Sequence, residues 1–231
     1  MIVLLGSSIL NSLIPLLPSE NCIVIAKKGG TLNFDLYEQE LKKLALKEVR
    51  KVILLFFGGN DLWTGRIVKK GRKIHYHLKS PRPTIKEVGM KYWVFYKKCL
   101  QLMPFAEYRI TLPLARRPFS NEDPEYASRM CNHCIFDFSF TSLRILQKEL
   151  LYGFQNTSCQ IDRVVDFHKF LFIHLKDKIF SRPWWIRAYG SNPRNWQIIY
   201  KRILASDQIH LNEEGKQLVA EYVNKHVLRS F

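Results

Sequence analysis

Five short runs of Val, Ile, Leu and Phe, at residues 2–5, 22–26, 52–57, 109–114 and 163–167, constrain the fold more than any other feature of the chain. Each is too short for a helix, is bounded by Gly, Pro or polar residues, and reads as a strand. Runs apolar on both faces suit the centre of a parallel sheet covered by helices. Helical patterns lie between them, at 33–49 (Leu36, Leu41, Leu44 and Leu46 among charges), 85–103, 125–152 and 213–227. The last follows Asn212, a good N-cap, and carries Glu213 and Glu214 where the helix dipole favours anions. This alternation predicts an α/β fold: a three-layer sandwich around a five-stranded parallel sheet with right-handed crossovers.

A chain of 231 residues suits one domain, expected to span 1–231. Two stretches break the alternation. One is a basic insertion at about 63–83, read as a loop interrupted by Gly65, Gly71, Pro81 and Pro83. The other is a Trp-rich insertion at about 180–205 with Trp184, Trp185 and Trp196. Both follow strands and are expected over the carboxyl edge of the sheet, where α/β folds build their sites. No apolar run reaches the roughly 20 residues of a membrane span, and Met1–Gly6 lacks the basic flank of a signal peptide, so an intracellular, cytoplasmic protein is expected. The start directly at strand one hints at excision from a longer polyprotein.

The net charge is +16, from 36 Lys/Arg against 20 Asp/Glu. Residues 66–98 hold 11 of those cations and one acid, Glu87. Such a field attracts polyanions, so nucleic acid or an anionic membrane surface is a candidate partner, with a merely solubilising surface as the alternative. Lys69, Lys70, Arg72 and Lys73 around Gly71 are the candidate polyanion-binding residues. Five cysteines, odd in number, argue against a disulfide framework. Cys131-Asn-His-Cys134 has the spacing of a zinc half-site but lacks a second half and lies in a helix-like stretch. Buried thiols are therefore expected, with no metal. Tyr92, Trp93, Phe95 and Tyr96 fall in a helical pattern and read as core.

Four polar groups stand directly after apolar runs, where side chains emerge at the sheet edge. Gly6-Ser7-Ser8 can present a hydroxyl. Lys28-Gly29-Gly30-Thr31 can turn backbone N–H groups outward toward an oxyanion. Phe57-Gly58-Gly59-Asn60-Asp61 offers a side-chain amide, with Asp61 expected to cap its own loop. Asp207-Gln-Ile-His210, before the last helix, can set a carboxylate behind an imidazole.

In this order and spacing the sequence resembles the SGNH (GDSL) hydrolase superfamily over nearly the whole chain, and within it the esterase modules encoded by some mobile elements. The resemblance implies a flavodoxin-like sandwich and a serine esterase for short-chain, acetyl-type esters that uses no cofactor. It implies Ser8 as nucleophile, His210 as base and Asp207 as its partner. The backbone N–H groups of Ser8 and Gly29 and the amide of Asn60 would form the oxyanion hole. Leu-Asn-Glu-Glu-Gly215 matches the stretch that trails the family's last block. Ser7 departs from the pattern, standing where the family usually has Asp. An esterase-like module of weak or no activity, attached to a polyanion through the basic insertion, is the alternative.

Overall fold

The computed structural model describes residues 1–18, 20, 22–114, 134–136, 145–150, 161–165, 167, 202–205 and 210–228. In chain order the elements are β1 (Ile2–Gly6), α1 (Ser8–Leu13), β2 (Cys22–Ala26), α2 (Glu38–Ala45), β3 (Lys51–Leu55), β4 (Trp63–Lys70), β5 (Lys73–Leu78), α3 (Ile85–Leu102), β6 (Glu107–Thr111), β7 (Cys134–Phe136), β8 (Ile161–Val165) and α4 (Glu213–Tyr222). A further helical run covers 145–150.

The main sheet has the order β2-β1-β3-β6-β8, and every pairing in it is parallel. Its central strands are apolar on both faces because both faces are covered. Val52, Ile53, Leu54 and Leu55 are all buried, each contributing roughly 1.5–3 kcal/mol relative to exposure. Two consecutive phenylalanines after β3 point to opposite sides. Phe56 meets Phe167, which meets Tyr222 of α4; Phe57 meets Tyr37 and Phe95 of α3. Helices α1 and α4 pack together, as do α2 and α3. The α/β fold with a parallel sheet, expected from the alternation, is what forms.

Local signals fix the helix ends. Thr84 and Glu87 form a reciprocal capping box at the start of α3, and Asn212 Oδ1 accepts from Gly215 N at 2.8 Å at the start of α4. Three helical expectations are revised. The 33–49 pattern splits into a 3-10 turn at Phe34–Leu36 followed by α2. The last helix ends at Tyr222 and widens into a π-turn over Val223–Leu228. Within 125–152, Cys134–Phe136 is a strand, antiparallel to β4. Its helix-like spacing is overridden by the hydrogen bonds that β4 offers.

The 63–83 stretch is also corrected: it is largely a β-hairpin, not a loop. Strands β4 and β5 pair from Gly65↔Leu78 to Lys70↔Lys73. With β7 they make a second, antiparallel sheet of order β5-β4-β7. Gly71, at φ +60°, takes the left-handed position of the two-residue turn Gly71-Arg72. Of the Trp-rich stretch only 202–205 are described, so Trp184, Trp185 and Trp196 lie outside the described residues.

At the amino edge of the main sheet, Lys51 opens β3 and Glu107 opens β6 directly opposite it. Lys51 Nζ lies 3.3 Å from Glu107 Oε2, and Arg109 Nε lies 2.8 Å from Glu107 Oε1. Arg109 also donates to the Val227 carbonyl at 3.3 Å. The Lys51 side chain is fully buried. Among the described residues no helix is long and apolar enough to cross a membrane.

Candidate active site

Strand order dictates where a site can form. Strand β1 has β2 on one side and β3 on the other, so the connections leaving β1 and β3 part at the carboxyl edge and open a crevice between them. The polar groups after β1, β2 and β3 all emerge there.

Ser8 is the first residue of α1, two positions beyond Gly6, the last residue of β1. Gly6 O accepts from Lys27 N at 3.2 Å and from the Tyr37 hydroxyl at 3.3 Å, which ties the turn after β1 to the segments after β2. Ser7 is buried and its side chain makes no capping hydrogen bond. Its carbonyl accepts from Asn11 N at 3.1 Å, so a backbone bond holds the turn at the position where the family this sequence resembles usually has Asp. Burial, with Asp61 and Glu40 nearby, holds the Tyr37 phenol well above its usual pKa, and it remains a donor.

His210 is the group that approaches Ser8: its Nε2 lies 3.3 Å from Ser8 Oγ, across 202 residues of sequence. A small hairpin-like closure presents it. Leu204 and Leu211 form an antiparallel bridge, and Ala205 N donates to His210 O at 2.8 Å. Asn212 anchors the base of the closure by donating to the carbonyls of Arg202 and Leu204. Asp207 lies outside the described residues.

The segments after β2 and β3 are joined to each other. Gly29 sits at φ +69°, a left-handed conformation that a side chain would strain. Asn60 Nδ2 donates to Gly30 O at 2.8 Å. An amide carries two donor hydrogens, and this bond uses one of them. Phe56, at φ +48°, turns the chain out of β3 in a conformation unusual for a bulky residue; such strain clusters at functional sites.

Asp61 departs from expectation. It does not cap its own loop: its buried carboxylate accepts from Leu32 N at 2.8 Å and from Lys91 Nζ at 2.9 Å. It thereby fastens the β2 segment, the β3 segment and α3 together immediately beside Asn60. Neither Lys91 nor Leu32 was singled out from the sequence, because the contacts join positions 30 and 29 residues away. Tyr92 of α3 adds a hydrogen bond to the Phe57 carbonyl.

The remaining candidate residues divide. Tyr92, Phe95 and Tyr96 are core, as their helical spacing predicts. Lys69 and Lys70 end β4, Arg72 is in the turn, and Lys73 begins β5. Burial pushes the Cys22 thiol up to about 11, and that of buried Cys99 higher still. Cys131 lies outside the described residues. Among the described residues no group of three or more His, Cys, Asp or Glu is placed to hold a metal ion.

No family model matches the chain, and no curated protein matches it in sequence. Solved structures do. Over 96% of its length the chain is similar to a candidate acylhydrolase from Bacteroides fragilis, at 13% identity and TM-score 0.52, covering 84% of that chain. It is similar over 96% of its length to a candidate GDSL-like lipase from Parabacteroides merdae, at 12% identity and TM-score 0.51, covering 93% of that chain. An acetyl-xylooligosaccharide esterase from Geobacillus Stearmophilus matches 96% of this chain and 92% of its own at 12% identity and TM-score 0.50. The chain therefore shares its fold with these three proteins. In this chain Ser8, Gly29 and Asn60 follow β1, β2 and β3, and His210 precedes α4.

Proposed function

We propose that the chain is a serine esterase for short-chain, acetyl-type acyl esters. The observation that carries the proposal is the approach of His210 Nε2 to Ser8 Oγ at 3.3 Å, at the carboxyl edge of an SGNH-type sheet. Loose hydrogen bonds of this kind are usual between a nucleophile and its base before substrate binds.

In this reading His210 takes the Ser8 hydroxyl proton as Oγ attacks the ester carbonyl, and Asp207 stabilises the imidazolium and fixes its tautomer. The oxyanion is met by the backbone N–H groups of Ser8 and Gly29 and by the Asn60 amide. His210 then gives its proton to the leaving alcohol, and a water activated by the same imidazole releases the acyl group. The fold relationship to an acetyl-xylooligosaccharide esterase supports a small acyl group.

A serine-directed fluorophosphonate tests the assignment. Wild-type protein should gain one adduct, mapping by mass spectrometry to Ser8, and His210→Ala should label far more slowly. Labelling at another serine, or equal rates for the two proteins, would remove the proposal.

A further inference from the structure

Between Asp61 and Glu87 the chain has eight Lys/Arg and no carboxylate. The hairpin sorts part of that charge by face. Successive residues of a strand point to opposite sides, and directly paired residues share a side. The pairs Arg66↔His77, Val68↔His75 and Lys70↔Lys73 therefore lie on one face, and Ile67↔Tyr76 and Lys69↔Ile74 on the other. The first face is the solvent face: Arg66, Lys70, Lys73, His75 and His77 are exposed and Val68 is half-buried. On the opposite face Ile67 is buried and Ile74 and Tyr76 are half-buried. Same-face pairs step about 6.8 Å along the ribbon, so the cations form a row of roughly 14 Å.

Edge protection does not account for this row. Cations on an edge strand deter pairing with other chains, but Arg66, which opens the row, stands where β4 has β5 on one side and β7 on the other. A membrane surface is also a poor match. Peripheral membrane binding needs apolar side chains to enter the interface beside the cations. The one apolar residue on this face, Val68, is half-buried, and the exposed Leu78 belongs to the other face. A row of guanidinium, ammonium and imidazole donors on the exposed face of the hairpin fits the phosphate backbone of nucleic acid.

We propose that the Arg66-Lys70-Lys73-His75-His77 face of the β4–β5 ribbon binds the phosphate backbone of nucleic acid. Binding is carried by phosphate contacts and is independent of the esterase reading, since none of these residues belongs to the Ser8–His210 site. The four cations around Gly71 singled out from the sequence are thereby re-sorted: Lys70 and Lys73 contribute, Arg66 joins them, and Lys69 faces away.

The test compares two triple variants of equal charge change. Arg66→Gln/Lys70→Gln/Lys73→Gln removes the face, whereas Lys42→Gln/Lys43→Gln/Lys97→Gln removes three exposed helical lysines elsewhere. Binding of a fluorescein-labelled 20-mer of uridylate and of a 20-base-pair DNA duplex is followed by anisotropy across a salt series, with p-nitrophenyl acetate hydrolysis and melting temperature as controls. The ribbon variant should lose about 2 from the log–log salt slope on single strands, and about 2.7 on duplex, weakening single-strand binding roughly 100-fold at 0.1 M salt. The helical variant should keep the wild-type slope, and both should keep esterase rate and melting temperature. Greater loss on the single strand or on the duplex identifies which form the ribbon prefers. Equal slope losses in the two variants, or no salt-dependent binding by the wild type, would overturn the proposal. So would a ribbon variant that loses binding to phosphatidylserine vesicles while oligonucleotide binding stays unchanged.

Discussion

At the amino edge of the parallel sheet Lys51, Glu107 and Arg109 close on one another, while at the carboxyl edge His210 approaches Ser8 and Asn60 ties the segments after β2 and β3 together. At the amino edge one carboxylate, Glu107, serves two cations and offsets part of the cost of burying the Lys51 side chain. At the carboxyl edge the exposed imidazole and the half-buried hydroxyl lie within hydrogen-bond reach of each other. The same sheet thus satisfies polar groups internally at one end and presents them at the other. Removing a group at the first end should cost stability without chemistry. Removing one at the second should cost chemistry without stability.

The largest effect on stability should come from Glu107→Ala. It leaves buried Lys51 and its neighbour Arg109 without their shared carboxylate, at a cost of about 3–5 kcal/mol. Urea unfolding measures the loss, and kcat per folded molecule should stay at the wild-type value. At the other edge, Asn60→Ala should lower kcat about 100- to 1000-fold with little change in KM, because the oxyanion exists only after attack. If Asn60→Ala instead cost as much stability as Glu107→Ala, the division between the edges would fail.

Asp61 sharpens the comparison because it stands at the carboxyl edge yet is buried and satisfied like the amino-edge ions. Asp61→Ala strands the Leu32 N–H and should cost about 1–3 kcal/mol. It should also lower kcat, since Asn60 and Gly29 lose the clamp between their segments. Lys91→Met takes the half-exposed cation from the same buried carboxylate, which keeps the Leu32 N–H, and should cost about 1–3 kcal/mol with turnover nearly intact. Paired melting and initial-rate measurements on both variants separate the two contributions.

The residues that could be located from the sequence are those whose position a strand end sets. Ser8, Gly29 and Asn60 come directly after apolar runs, and His210 precedes a helix announced by Asn212 and two glutamates. Asp61 could be seen as a residue but its role could not, because its partners lie 29 and 30 positions away and no local pattern names them. The hairpin was hidden for a different reason. Its solvent face carries cations and its chain carries glycines, so the period-two signal from Ile67, Ile74 and Tyr76 is too sparse to outweigh a loop reading. Strand β7 is three residues inside a helix-like pattern, and its identity comes from β4 alone. Pairing partners and long-range clamps are properties of the assembled sheet.

The central claim is that Ser8, activated by His210, cleaves acyl esters. Its most direct test is the steady-state rate of p-nitrophenyl acetate hydrolysis by purified wild type and Ser8→Ala, with matched melting temperatures. A half-buried serine at the start of a six-residue helix can lose its hydroxyl with little structural consequence, so both proteins should fold alike. The wild type should turn over with a rate at least on the order of a thousandfold above the variant. Equal rates in two equally folded proteins would contradict the account.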